Sequence, residues 1–457
     1  MSIAYDAIII GAGQAGPPLA GRLTAAGQKV AVIERKLFGG TCVNTGCMPT
    51  KALVASAHAA HLARRAADFG VRIGGPVTVD LKAAKARKDA ISTRARTGIE
   101  SWLGAMAGCT LYRDHARFRS AREVQVGEET LTAERIFINA GGRAAIPDLP
   151  GLDAVPYLTN TSVLELDTLP AHLIIIGGSY IGLEFAQMYR RFGAQVTVVE
   201  KGPRLIARED ADISDAVAGI LQAEGIALRL DAECIRLAPH AEGVAVGVNC
   251  TSGAPQIHGS HVLLAVGRRP NTDELGLEAA GIACDARGYI VVDDELRTSV
   301  PGIWALGDCN GRGAFTHTAY NDFEIVAANL LDGGTRRLSQ RIPGYALYID
   351  PPLGRAGLGE RDARAAGHAV RVGVRPMSRV GRAIEKGETQ GFMKIVVDAA
   401  TSRILGAAIL GTGGDEAIHG VLDVMGADVP YTTLRDTVPI HPTVSELIPT
   451  LLTELVP

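Results

Sequence analysis

Short apolar runs alternate with glycine turns and alanine-rich stretches along most of the chain, and the first such unit sets the pattern. Ala7-Ile8-Ile9-Ile10 predicts a buried strand, Gly11-x-Gly13-x-x-Gly16 a tight turn, and the stretch to about Ala26 a helix. Val30-Ala31-Val32-Ile33 predicts a second strand that ends at Glu34. In such a unit the first glycines make the turn and admit a pyrophosphate to the helix N-terminus. The third packs helix on strand, and the terminal acid accepts from ribose hydroxyls. The unit returns once. Gly11, Gly13, Gly16, Gly27 and Glu34 map onto Gly177, Ser179, Gly182, Gly193 and Glu200, each 166 residues later, with Ile8-Ile9-Ile10 matching Ile174-Ile175-Ile176. Two dinucleotide-binding folds follow. Ser179 stands where a middle glycine is expected, and its side chain crowds the pyrophosphate there.

Between the repeats, 50–66 and 80–107 read as helices, with Gly75-Pro76 marking the loop between them. Asp80 caps the second, along which Leu81, Ala84, Ile91 and Ala95 recur at helical spacing. Residues 147–151 read as a linker. Gly302-Ile303-Trp304-Ala305-Leu306-Gly307-Asp308 is a buried strand ending in Gly-Asp, and a helix is expected from Thr316-His317-Thr318-Ala319. From about Gly334 the pattern changes. Pro351-Pro352-Leu353-Gly354-Arg355, the alternation over 393–398 and the apolar run 404–410 predict an antiparallel sheet backed by helices, an α+β unit.

A chain of 457 residues exceeds one ordinary core, so two to four domains are expected. The net charge of −3 gives no reason to expect nucleic acid or an anionic membrane as partner. No run of 18 apolar residues is present, and Ile8-Ile9-Ile10 follows Asp6 instead of a basic segment, so neither a membrane span nor a signal peptide is expected. Cytoplasmic localisation follows as an expectation. Seven cysteines, an odd number, fit reduced structural thiols plus one special pair. Cys109, Cys234, Cys250, Cys284 and Cys309 are assigned packing roles, and no metal-ligand cluster is expected.

The special pair lies in Gly39-Gly40-Thr41-Cys42-Val43-Asn44-Thr45-Gly46-Cys47-Met48-Pro49-Thr50-Lys51. A Cys-x4-Cys spacing lets two sulfurs close a small ring, and two buried free thiols is the alternative. Pro49 suits a first helical turn, which would place Cys47 at the positive end of a helix, where a thiolate is favoured. This run resembles the redox-active segment of the flavoprotein pyridine nucleotide-disulfide oxidoreductases, the family of dihydrolipoamide dehydrogenase, glutathione reductase and mercuric reductase. The resemblance extends over essentially the whole chain.

It implies an α/β fold with two Rossmann-like dinucleotide-binding domains, for FAD and NAD(P), plus a C-terminal α+β dimerisation domain. The divisions are 1–150 for the first part of the FAD domain, 151–268 for an inserted NAD(P) domain, 269–335 for the second FAD part and 336–457 for the interface domain. By resemblance FAD is held by Gly11, Gly13, Gly16, Glu34, Gly40 and Thr41. Strands passing it bring Ala116, Ala140 and Gly141, and Ala140 stands where the family usually has threonine. The return crossing brings Arg268, the Gly-Asp strand brings Asp308 to a ribityl hydroxyl, and the following helix start brings Thr316 and His317. NAD(P)H falls to Gly177, Ser179, Tyr180, Gly182, Glu200 and Gly267, with Tyr180 covering the nicotinamide pocket. Glu200 repels a 2′-phosphate, so NADH is favoured over NADPH, although Lys201, Arg204 and Arg208 blunt that preference.

The resemblance also assigns chemistry. NAD(P)H reduces FAD, which passes two electrons to the Cys42-Cys47 disulfide, and Cys42 attacks a small disulfide substrate. Lys51 and Glu184 form an ion pair beside the flavin. In Ile440-His441-Pro442-Thr443-Val444-Ser445-Glu446, Pro442 can open a helix and Glu446 can hold the imidazole of His441, which handles the proton. Thr443-x-x-Glu446 is also a capping box. In the family this histidine serves the partner subunit's disulfide, so a homodimer with a shared site is implied. Phe315-Thr316-His317, Asn321-Asp322-Phe323 and the tail Leu447-Ile448-Pro449-Thr450-Leu451 look similar to bacterial mercuric reductase-like and copper-reducing stress flavoenzymes. The chain closes without the paired cysteines of mercuric reductase and keeps the histidine, which points away from a dedicated mercury enzyme. The alternatives carried are a mercuric or cupric ion reductase, a dihydrolipoamide dehydrogenase and a flavin-bound redox sensor.

Overall fold

The structure, a computed structural model, describes residues 2–249 and 253–457; Cys250 lies outside the described residues. The first unit forms a strand over Ser2–Ile10, a helix over Gly16–Ala25 and a strand over Val30–Ile33. Ile8, Ile9, Val30, Ala31 and Val32 are fully buried, because parallel strands covered on both faces leave no outward positions for polar residues. Among the described residues this sheet has seven strands. Ser2–Ile10 lies between Val30–Ile33 and Glu129–Ile138, with Ile8 opposite both Ala31 and Ile136. Ile303–Ala305 pairs with Glu129–Ile138 and so joins this sheet after the second repeat. The crossing between the two units is a short antiparallel pair, Gly142–Ala144 with Arg268–Pro270.

The second repeat forms a parallel sheet of Ala227–Arg229, Gln195–Val199, His172–Ile176 and His261–Leu264. Its helix Tyr180–Phe192 follows the turn. A three-stranded antiparallel sheet, Glu233–His240, Gly243–Asn249 and Gln256–Gly259, shares a core with it through Leu237, Val244, Ile174 and Val262. The C-terminal unit is a five-stranded antiparallel sheet in the order Gly344–Leu347, Leu353–Gly357, Ile404–Leu410, Phe392–Asp398, Val370–Pro376. The Gly414–Gly426 helix packs Ile418 and Val421 into its core.

One core joins all three units. Leu53 and Ala57 of the Cys47–Arg64 helix pack with Leu183 and Phe185 of the second repeat and with Leu347 and Leu353 of the C-terminal sheet. Each leucine so buried contributes about 1.5–3 kcal/mol, which fixes the cysteine-bearing helix against both neighbours.

Two helices differ from expectation in their bounds. The first runs Cys47–Arg64 instead of 50–66 and is followed by a 3-10 turn at Ala66–Phe69. The second runs Leu81–Gly104, with the Asp80 carboxylate accepting from Ala83 N–H at 3.0 Å. Pro442 does not open a helix. A turn at Ser445–Leu447 leads into Ile448–Leu451. Pro449 occupies the first turn there, where a missing N–H costs nothing.

Candidate active site

Cys42 sits in a short helix, Gly40–Asn44, and Cys47 is the first residue of the next. The turn before them presses on the first dinucleotide turn: Gly39 N–H donates to Ala12 O at 2.8 Å. A Cβ on Gly40 would stand 2.9 Å from Gly13 Cα, so only glycine permits this approach. Both sulfurs are free thiols, hydrogen-bonded to each other. Cys47 is the exposed one, and its Sγ lies 3.2 Å from Thr316 Oγ1 at the start of the Thr316–Leu331 helix. The hydrogen bond from Cys42 lowers the Cys47 pKa to about 6 against opposition from burial, helped by Thr316 and the charge of Lys51. The same bond, with burial, pushes the Cys42 thiol up. The pair therefore shares one proton, with Cys47 the thiolate and Cys42 the thiol.

Lys51, one turn along, places Nζ 2.6 Å from Glu184 Oε2 and 4.6 Å from the centre of the Tyr348 ring. Glu184 is buried, and its other oxygen accepts from Tyr348 N–H at 3.1 Å. Asn160, which sequence reasoning did not single out, donates to Thr45 O at 2.9 Å and ties the second repeat to the loop between the cysteines.

The two dinucleotide turns share their bracing. Glu34 accepts from Ala12 N–H at 3.0 Å and Lys36 N–H at 2.8 Å, and Glu200 from Gly178 N–H at 2.6 Å and Gly202 N–H at 2.8 Å. Each acid thus holds its own turn. A Cβ on Gly16 would lie 2.4 Å from Gly11 O, and one on Gly182 would lie 2.2 Å from Gly177 O. Ser179 adopts ordinary extended backbone, and its side chain makes no capping hydrogen bond. Asn139 was also missed. Its amide sits against Gly11 O, and with the amide oxygen turned inward it accepts from Gly16 N–H at 3.0 Å.

Around the first turn, Arg268 Nη2 gathers Gly142 O at 2.5 Å, Thr41 Oγ1 at 3.4 Å and Asp308 Oδ2 at 3.4 Å. Burial raises the Asp308 pKa despite Arg268, leaving a desolvated carboxylate with one long charged contact. Ala116 is buried in its strand, Asn271 Nδ2 donates to Ala140 O at 2.9 Å, and Asn271 N–H donates to Gly141 O at 3.0 Å. Gly267 O accepts from Ala145 N–H at 2.9 Å. Beside Glu34 lies a polar cavity of about 580 Å³ lined by Arg35, Asp114, His115, Arg117, Asp273 and Glu274. A close-packed glycine turn, a polar cavity beside Glu34 and an under-satisfied carboxylate at Asp308 fit a flavin dinucleotide. His317 donates from Nε2 to Gly344 O at 2.7 Å and stacks on Phe315, so backbone already satisfies that nitrogen. Tyr180 donates to Glu209 Oε1 at 2.7 Å.

His441 is paired with Glu446 through Nδ1 and Oε2 at 2.8 Å, and Glu446 N–H donates to Thr443 Oγ1 at 3.2 Å. The glutamate orients the imidazole while the threonine caps the turn. The segment is bare: Val438, Ile440 and the His441 side chain are 96%, 79% and 80% exposed. Among the described residues no cluster of three or more His, Cys, Asp or Glu is placed to hold a metal, and no helix is long and apolar enough to cross a membrane.

Comparison with known proteins accounts for these features together. Residues 5–322 match the pyridine nucleotide-disulphide oxidoreductase family and residues 343–452 its dimerisation domain. The chain is 37% identical to the probable pyridine nucleotide-disulfide oxidoreductase RclA of Escherichia coli (strain K12), over 97% of both chains. It is 34% identical to a mercuric reductase of Streptomyces lividans, over 95% of this chain and 92% of that one. A solved structure of the Cu(II) complex of the HOCl-induced flavoprotein disulfide reductase RclA superposes with a TM-score of 0.90 at 36% identity, covering 99% of each chain. The chain belongs to the pyridine nucleotide-disulphide oxidoreductase family and is an NAD(P)H-dependent, FAD-containing oxidoreductase that acts on sulfur groups.

Proposed function

We propose that the protein is a cytoplasmic, homodimeric NADH-dependent reductase of a small disulfide, with each site completed by His441 of the partner subunit. The observation that carries this is the exposed His441 imidazole, already oriented by Glu446 and, among the described residues, with no other hydrogen-bonding partner. Bound flavin supplies the chemistry that lets a two-electron hydride donor reduce a disulfide. When the electron pair reaches the sulfurs, the Cys42–Cys47 bond opens and one proton enters, leaving Cys47 as thiolate and Cys42 as thiol. Cys42 then loses its proton to the imidazole and attacks a substrate sulfur, and the imidazole returns the proton to the thiolate that leaves. The Cys47 thiolate next attacks the Cys42 sulfur of the mixed disulfide, which restores the Cys42–Cys47 bond and releases the second substrate sulfur as a thiolate that takes a proton from solvent.

Support for NADH comes from Glu200. Both of its oxygens accept backbone N–H bonds, which fix a negative charge where a 2′-phosphate would sit, and Arg204 is engaged by Asp215 at 3.2 Å. A second reading, reduction of a soft metal ion at the thiolate pair, has support from the solved Cu(II) complex of the related reductase. The test is steady-state turnover of the FAD-loaded protein with NADH and NADPH against lipoamide, oxidised glutathione, other small disulfides, Hg(II), Cu(II) and a quinone. His441→Ala should cripple disulfide turnover and spare metal reduction. Equal losses on both would refute the proton role.

A further inference from the structure

Asp322 sits in the middle of the Thr316–Leu331 helix and is 1% exposed. A carboxylate so buried is costly unless its oxygens are engaged. Here Oδ2 accepts from Gly307 N–H at 2.8 Å and from Asn310 Nδ2 at 2.9 Å, while Oδ1 meets the Arg341 guanidinium. Asn310 Nδ2 also donates to Ala305 O at 3.0 Å, so Asp322 grips both ends of the Gly307–Asn310 turn. Within that turn the Cys309 thiol is buried and donates to Leu306 O at 3.2 Å. Asp308 is the side chain the turn presents.

The turn stands where a ligand of such a sheet belongs. It follows Ile303–Ala305 directly, and Leu306 N–H donates to Ile138 O and Asn139 N–H to Ile10 O, each at 2.8 Å, so three parallel strands end together here. Open parallel sheets bind their ligands outside these carboxyl ends. A Cβ on Gly307 and a Cβ on Gly13 would each lie 3.2 Å from the Asn139 amide, which places the Gly307 turn against the first glycine turn. Gly307 has φ +72°, a conformation glycine enters and leaves freely. The direction of Asp308 therefore depends on the anchor at the Gly307 N–H.

The anchor is itself held from behind. Arg341 precedes the C-terminal strand Gly344–Leu347, is 13% exposed and also donates from Nε to Asn321 Oδ1 at 2.8 Å. The bond from His317 to Gly344 O fastens the same connection to the start of the same helix. Loss of either member of the Asp322–Arg341 pair leaves the other as an uncompensated buried charge.

We infer that Asp322 is a positioning residue for the flavin: clamped by Arg341, it sets the turn that offers Asp308 to the cofactor, and it makes flavin retention depend on the seating of the C-terminal unit. The inference rests on FAD lying at the first glycine turn, and on neither the electron acceptor nor the choice of nicotinamide.

The test is the rate of FAD release from the diluted full-length holoenzyme, read from the fluorescence of freed flavin, with far-UV circular dichroism of the same samples. Asp322→Asn keeps the shape and removes the charge, and Arg341→Gln removes the clamp from behind. Each is expected to speed release about tenfold, equivalent to about 1.4 kcal/mol, while the dichroism stays at the wild-type value. The double variant is expected to release FAD no faster than the quicker single one, because both act through one clamp, and additive effects would overturn that. A contact that only stabilised the fold would free flavin no faster than the chain unfolds, so release that tracks loss of the dichroism signal overturns the inference. Unchanged release in Asp322→Asn overturns it as well, and unchanged release in Arg341→Gln overturns the clamp, including where Asp322→Asn yields no folded protein. Wild-type protein that binds no FAD would instead refute the flavin reading, before any variant is compared.

Discussion

Replacing Thr316 with valine should raise the Cys47 pKa of the reduced enzyme while keeping the shape of the side chain. Its hydroxyl lies 3.2 Å from Sγ and is one of three groups that hold the thiolate near 6. A hydrogen bond to a charged group is worth about 1.5–3 kcal/mol, and 1.36 kcal/mol is one pKa unit. Because Cys47 is exposed and sulfur is a weak acceptor, the lower end applies, and a rise of about one unit is expected. At pH 7 the thiolate would fall from roughly nine-tenths of the population to about half. Cys42→Ala, which removes the largest cause, should move the midpoint further. The folded-state pKa is lowered, so the thiolate's contribution to stability is complete above the ordinary thiol value of 9.0 and is lost as pH falls through about 6. The assay is the pH dependence of Cys47 alkylation by iodoacetamide in the reduced protein, followed by mass spectrometry. Wild type, Thr316→Val and Cys42→Ala sharing one midpoint would refute the reasoning.

Three further outcomes are expected. His441→Ala, at an 80% exposed side chain, should leave the melting temperature nearly unchanged while disulfide turnover falls by about 10²–10⁴. Hybrids of Cys42→Ser and His441→Ala chains mixed equally should recover roughly a quarter of wild-type turnover, since half the dimers are mixed and each has one intact site; no recovery would place the whole site within one chain. Gly16→Ala puts a Cβ 2.4 Å from Gly11 O and should yield colourless protein, whereas Gly182→Ala, with 2.2 Å to Gly177 O, should stay yellow but resist reduction by NADH. Absorbance spectra before and after NADH addition separate the two.

Much of the fold was legible because its information is local. Apolar runs bounded by glycine gave the parallel strands of both repeats, and a constant offset exposed the repeat. The cysteine pair and the His441–Glu446 pair were legible because their members lie within a few residues of one another. Lys51 and Glu184 were reached only through resemblance, since nothing in their spacing brings them together. Glu209, Asn139 and Asn160 left no signal. Each acts through partners distant in sequence, such as Tyr345 for Glu209 and Gly11 for Asn139, and a lone acid or amide in a turn has no pattern of its own. Pro442 misled because a helix-opening proline is a local cue, and Pro449 supplied the same cue seven residues later.

The proton shared between Cys42 and Cys47 also fixes how the sulfur couple answers to acidity. Above about pH 6, closing the ring releases two electrons but only one proton, so the midpoint potential falls by about 30 mV for each unit of pH. Oxidation of a dihydronicotinamide likewise releases two electrons and one proton and follows the same slope. Donor and sulfurs therefore drift together, and the driving force between them stays constant as the surroundings become more alkaline. Below pH 6 the second sulfur takes up its own proton, the slopes part, and reduction of the ring becomes steadily more favourable.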